Sequence, residues 1–434
     1  MEIMGLVAAL ALVTLPALVG FDLPLQVSSP GAGTQKKQTR VDPRSEGVNL
    51  TFSPVRFTYK HEYSFKDLPT EAKSVYFLLP RSFQEHTITS ANYYLNGDRS
   101  SPLKYEVVSE TPGWRVARAE IPPSKNFTVL MDVSGIHWNG KLAKAGNSSV
   151  PSDIAPPEIS DEMMNWYSKR SPFLSRVEPT FSNLLRTNGL DNLGDDFFGA
   201  FLKSYKFLAQ SAKYDASGAN IDEFLQGKIN CNGSNRTLVA IFNLDSSGQY
   251  AGVDLTGIVM NDGNIHAMSL VGKKGWSRLV PTDAVKFNDG NMDPYYLSGT
   301  SMGPMLIFQE GFGDPAIDAK GGVTFRVKET NRVVRGPNPG AMMFAFDGAG
   351  NFAGELKKSF ISGKKVSFQS QPITDFVALR RELGLVADSG VGGSSNSGGL
   401  GTEERNASQG EGLNSVNFGG FSLPDLESIG VFRN

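Results

Sequence analysis

The chain of 434 residues carries 42 Lys and Arg against 44 Asp and Glu, a formal net charge of −2, with 40% hydrophobic and 20% charged residues. That length suggests roughly two to four domains, and the balance excludes both a wholly disordered chain and a concentrated basic footprint for nucleic acid. One cysteine, Cys231, and four scattered histidines, His61, His86, His137 and His266, exclude an intramolecular disulfide and a multi-Cys zinc site and argue against a His-rich metal cage.

In chain order, Ile3 to Phe21 is almost continuously apolar, with Thr14 and Pro16 interrupting it. Residues 1–25 therefore read as a signal peptide or membrane anchor, and 26–47 as a spacer. The charge flanks are unusual: Glu2 precedes the run, while Lys36, Lys37 and Arg40 follow it. An exported protein, extracellular or anchored facing outside, is expected. Sequons at Asn49, Asn126, Asn147, Asn232, Asn235 and Asn406 fit that location without requiring it.

Residues 48–138 predict short strands with turn punctuation. Val55–Phe65 alternates, Ser74–Pro80 is a buried run, and Asn96-Gly97 marks a hairpin turn. Strands at this spacing suggest an independent β-sandwich of immunoglobulin-like size. A polar, Pro-bearing linker is expected over 139–160. From Asp161 the period becomes helical, with Phe197, Phe201, Tyr205 and Leu208 on one face, and a short helix follows Cys231. The period then falls to two across Val253–Met260, Ile265–Val271 and Trp276–Thr282, with turns at Asn261–Asn264 and Gly272–Gly275. Helices followed by an antiparallel sheet predict an α+β domain over 161–295. Further strands over 296–387, closed by a helix, form a β-rich extension. The Gly- and Ser-rich residues 388–434 read as a flexible tail.

The chemistry concentrates between Gly227 and Asp283. Cys231 stands just ahead of a helix, where the positive helix end favours a thiolate and free N–H groups can hold an oxyanion. His266 follows on a strand and Asp283 lies beyond it. Thiolate nucleophile, imidazole base and carboxylate orienter are the three roles of a thiol acyl-transfer site. The set Gly227 and Cys231, then Ala251, Gly252, Val253 and Gly257, then His266-Ala267-Met268, Gly275-Trp276 and Pro281-Thr282 resembles the transglutaminase-like superfamily, a papain-related group of Cys-His-Asp enzymes. The resemblance spans roughly residues 161–295. It implies a core of helices packed on an antiparallel sheet, Cys231 and His266 as catalytic residues, and a protein or peptide substrate attacked at an amide or isopeptide bond. It implies no cofactor and no metal. Hydrolysis is expected over cross-linking, since no acceptor-amine site is identifiable, and activity is expected to peak near neutral pH. The alternative is a non-catalytic surface or adhesion protein that keeps the fold as a scaffold.

Three positions depart from the family pattern. Gly227 lies four residues before Cys231 and Met268 replaces a Trp. At the family's acid position stands Val280, with Asp283 three residues later. An even-numbered Gly272–Gly275 loop puts Asp283 on the His266 face; an odd or bulged loop points it elsewhere, as a surface acid or a helix cap. Asn288–Asp293 has oxygen ligands at calcium-loop spacing but reads as a polar turn, lacking the closing Glu. Gln226 is a weaker candidate for oxyanion assistance, Trp166 and Tyr167 read as core, and Asp254 and Asp262 as strand and turn acids.

Overall fold

The structure, a computed structural model, describes residues 40–384 apart from 69–71, 145, 147–149, 169–171, 219–220, 312–323, 328–331, 336–342 and 348–360. The apolar segment at residues 3–21, most of the expected spacer, the sequons at Asn147 and Asn406 and the tail 388–434 lie outside the described residues. Among the described residues, no helix is long and apolar enough to cross a membrane.

The N-terminal strands are β1 (Leu50–Phe65), β2 (Ala72–Leu78), β3 (His86–Leu95), β4 (Glu106–Thr111), β5 (Trp114–Glu120) and β6 (Phe127–Leu142). Then come α1 (Asp161–Tyr167), α2 (Pro172–Thr187), α3 (Phe197–Ser211), β7 (Lys213–Tyr214), α4 (Ile221–Phe224), β8 (Lys228–Ile229) and α5 (Cys231–Asn243). The sheet that follows uses β9 (Tyr250–Val259), β10 (Ile265–Lys273), β11 (Val280–Thr282) and, after α6 (Pro294–Leu297), β12 (Met305–Glu310). Strands β13 (Thr324–Val327) and β14 (Arg332–Arg335) pair with each other, and β15 (Met343–Asp347), β16 (Ile361–Pro372) and α7 (Phe376–Glu382) complete the described chain. The protein is mixed α+β with antiparallel sheets, in the orders β16-β1-β6-β3, β15-β2-β5-β4 and β11-β10-β9-β12.

Local chemistry sets the elements around the site. Asn230 caps α5, its side chain accepting the Gly233 N–H at 3.0 Å, which starts the helix at Cys231. Asp196 caps α3 in the same way, through the N–H groups of Phe198 and Gly199. Helix α5 lies on β9 and β10, and the glycines of β9 let backbones approach. A Cβ on Gly257 would stand 2.3 Å from the Leu306 carbonyl oxygen, and one on Gly252 3.3 Å from Val239 Cα.

The expected boundaries differ from the structure in three places. The sandwich is not independent. Strands β1 and β6 are both 16 residues long and run through two cores. Phe57 and Val133 lie in a core that continues into Leu255 and Met268, while Phe52 and Trp138 lie in the core of Phe201, Leu238 and Trp276. Second, residues 139–160 are not an exposed linker: β6 continues to Leu142, and Ile154, Ala155 and Ile159 are buried. Third, the strands after residue 296 do not form a separate extension. Strand β12 joins the His266 sheet, β15 pairs with β2, and β16 pairs with β1 from Val55–Pro372 to Phe65–Ile361. Alternation along a strand reports which face is buried, not which distant strand fills its edge. The described end of the expected spacer is also docked: Val41 bridges Gly275 and Ser277, and Arg40 pairs with Asp161.

The hairpin behind His266 is wider than its turn signal implies. Strand β10 continues past Gly272 to Lys273, still paired with β9, and Val271 stands opposite Val280 rather than Trp276. The intervening residues are held by neighbours. The Trp276 ring is buried beside Phe197, the Ser277 N–H donates to the Val41 carbonyl, and the Gln84 side chain brackets the Leu279 main chain.

Candidate active site

Cys231 is the first residue of α5, on the helix turn that faces β10, and is partly exposed. The Asn230 side chain takes the Gly233 N–H and its carbonyl takes the Ser234 N–H. The Cys231 and Asn232 amides therefore remain for a ligand oxygen among the described residues, at the positive end of the helix.

His266 sits near the start of β10, buried, opposite Gly257 of β9. The register of β10 and β11, with Leu270 opposite Pro281, carries on to place Asp283 beside Met268, two residues from His266 on the same face. Asp283 is fully buried, and its Oδ2 meets His266 Nε2 at 2.7 Å. With Nε2 so engaged, Nδ1 is the ring nitrogen left for the thiol, and the Asn235 amide bridges the Cys231 and Ala267 carbonyls at 2.8 and 2.9 Å. The structure thus brings Cys231, His266 and Asp283 together. Val280 is buried in the core and carries no charge to the site.

The Asp283 carboxylate has further partners. Ser301 Oγ donates to Oδ2, and Oδ1 accepts from Asn235 Nδ2 at 3.4 Å and from the Val285 N–H at 3.3 Å. Asp283 is thereby also the N-cap of the 3-10 turn Ala284–Asp289. Burial alone would push its pKa up, but the His266 charge and hydrogen bond, then Ser301 and Asn235, hold it well below the usual carboxylate range. For His266, burial pushes down. The charge and hydrogen bond of Asp283, followed by those of Cys231, reverse this and raise it above the ordinary imidazole value. The Asp283–His266 pair thus favours the imidazolium over the neutral ring.

The surrounding residues explain parts of the motif. Thr282 donates to the Leu297 carbonyl at 2.8 Å and meets the Tyr205 hydroxyl, fixing the end of β11. The Lys286 ammonium, largely buried, donates to the carbonyls of Tyr296, Ser298 and Gly299 at 2.8–3.0 Å, pinning the segment that delivers Ser301.

Sequence reasoning missed Asn235, Ser301 and Lys286. Asn235 carried a readable signal: four residues after Cys231, it shares the Cys231 face of the helix. Its sequon is fully buried and belongs to the site, not to an exposed surface. Ser301 and Lys286 reach the site only through tertiary packing. Gln226 is exposed. Asp254 is buried 3.9 Å from Arg236 and not a free strand acid. In the segment with calcium-loop spacing, Asp293 caps α6 and Asp289 accepts from the Tyr296 hydroxyl. No group of metal-ligating side chains occurs among the described residues.

No family model matches the sequence, and no curated protein matches it. Among solved structures, the chain is similar to a candidate cysteine protease from Cytophaga hutchinsonii. The two are 10% identical, with a TM-score of 0.41, over 74% of this chain and 91% of that one. Likeness at that level establishes neither fold nor activity.

Proposed function

We propose that the protein is a transglutaminase-like cysteine enzyme that cleaves amide or isopeptide bonds in a protein or peptide substrate. The observation that supports this most is the Asp283–His266 contact at 2.7 Å, with Cys231 at the N-terminus of α5, which Asn235 ties to the His266 strand. In this reading the Cys231 sulfur attacks the carbonyl carbon, and the resulting oxyanion meets the N–H groups of the first turn of α5. His266 passes its proton to the departing amine as the C–N bond breaks, leaving a thioester. Water then gives a proton to His266 and its oxygen attacks the thioester. The thiolate leaves, restoring the ion pair and releasing the carboxylic acid, which gives its proton to solvent. Asp283 stays ionised and holds the ring. The apolar run at residues 3–21 supports an exported or membrane-anchored enzyme.

A panel of peptide and isopeptide substrates, read by mass spectrometry with and without an added primary amine, tests the reading. Wild-type protein is expected to yield the free acid in preference to the amine adduct. Cys231→Ala is expected to abolish turnover and His266→Ala to lower it by about 10²–10⁴-fold. Cleavage that survives Cys231→Ala would contradict the proposal.

A further inference from the structure

Asn235 is fully buried, and its amide touches all three segments that carry the site. Its Nδ2 donates to the carbonyl of Cys231 at 2.8 Å and to that of Ala267, next to His266, at 2.9 Å, and it lies 3.4 Å from Asp283 Oδ1. Its Oδ1 accepts from Ser269 Oγ at 2.8 Å and from the Ala284 N–H, just past Asp283, at 3.0 Å. A primary amide offers two N–H donors and two lone pairs, so its capacity is filled. The partners also fix its orientation, because a flipped amide would set oxygen against two carbonyls and NH₂ against an N–H.

These bonds address a specific mechanical difficulty. Cys231 lies in the first turn of its helix, His266 near the start of its strand and Asp283 at a strand-to-turn junction, all places where chain ends fray. We infer that Asn235 is the positioning residue that sets the mutual distances of Cys231, His266 and Asp283, clamping the helix, the strand and the cap at one amide. This rests on the reading of the three as a thiol–imidazole–carboxylate site.

The test is the rate at which iodoacetamide alkylates Cys231 near pH 6, divided by the rate near pH 10, where a thiol is reactive without help. Wild type is expected to show a high ratio and His266→Ala a low one. Asn235→Ala is expected to fall by about tenfold toward the His266→Ala value while its rate near pH 10 is kept. Asn235→Asp, close to asparagine in shape, serves where the alanine variant does not fold. It keeps the acceptor for Ser269 and Ala284 and loses the donors, so the same fall is expected.

Asn243→Ala is the control for a merely structural effect. Asn243 stands on the same helix and bridges Gly252 and the Tyr167 carbonyl, away from the chemistry. Its loss is expected to lower the unfolding midpoint without moving the ratio. Folded Asn235 variants with the wild-type ratio would overturn the inference while leaving the site reading intact. A wild-type ratio equal to that of His266→Ala would overturn the site reading, and this role with it.

Discussion

Asp283 divides its two oxygens between two tasks. One faces His266 and Ser301, and the other caps the following turn through Val285. The sequence presented these as alternatives, orienter or cap, and parity alone could not choose between them. Of the two loop parities left open, the observed register matches the even one. What parity lacked was the register, because the loop before β11 is shaped by Phe197, Val41 and Gln84, all far away in sequence. The two tasks separate by mutation. Asp283→Asn keeps an oxygen for the cap, whereas Asp283→Ala removes both partners. Denaturant unfolding near pH 7 should therefore find the alanine variant less stable than the asparagine variant by about 1 kcal/mol. Equal stabilities would show that the cap contributes nothing.

At the scale of elements, the parts of the motif that were legible are those whose spacing is local. Cys231 at a helix start, the glycines of β9 and His266 on a strand follow from capping, periodicity and close approach. Gly257 illustrates the physical content of such a position. An added Cβ would meet a backbone carbonyl of β12, which cannot rotate away as a side-chain tip would. Gly257→Ala should push β12 from β9 and destabilise the protein by about 1–3 kcal/mol, read from the urea midpoint. A shift within about 0.5 kcal/mol would mean that the sheet accommodates the methyl group freely. The widening of the β10–β11 loop was not legible, since glycines at 272 and 275 give a turn signal that Trp276 packing overrides.

The whole molecule is organised by β1 and β6, which enter both cores and so tie the sandwich strands to the site. Seams of that kind are invisible to a reading that cuts a chain where composition changes. They also bury titratable groups. Burial lowers His86 to about 3 and His137 to about 4, the effect on His86 being reinforced by His137, and burial lowers His61 to about 4. Each is neutral when folded and takes up a proton when unfolded below the ordinary imidazole value of about 6.5, so each removes stability as pH falls from there toward its folded value. Glu85, raised to about 8 by burial, has the opposite sign between its folded value and 4.5, as does Asp254, raised to about 6 by burial against Arg236, down to 3.8. The difference between wild type and a variant isolates one group. His86→Leu should flatten the fall in unfolding free energy between about pH 6 and pH 4 by close to 1.4 kcal/mol per pH unit. Parallel curves for the two proteins would mean that His86 takes up no extra proton on unfolding.

The coupling of His266 to both Asp283 and Cys231 is the centre of this account, and nitrogen NMR of the histidine rings measures it most directly. The folded imidazolium is favoured, so His266 should stay protonated on both ring nitrogens at pH values where an ordinary histidine, with a pKa of about 6.5, is neutral. Asp283→Asn, which removes the opposing charge, should bring its titration down toward or below that value. A His266 ring that is already neutral near pH 7 in the wild type, and unchanged in Asp283→Asn, would contradict the ion pair and the cysteine chemistry proposed from it.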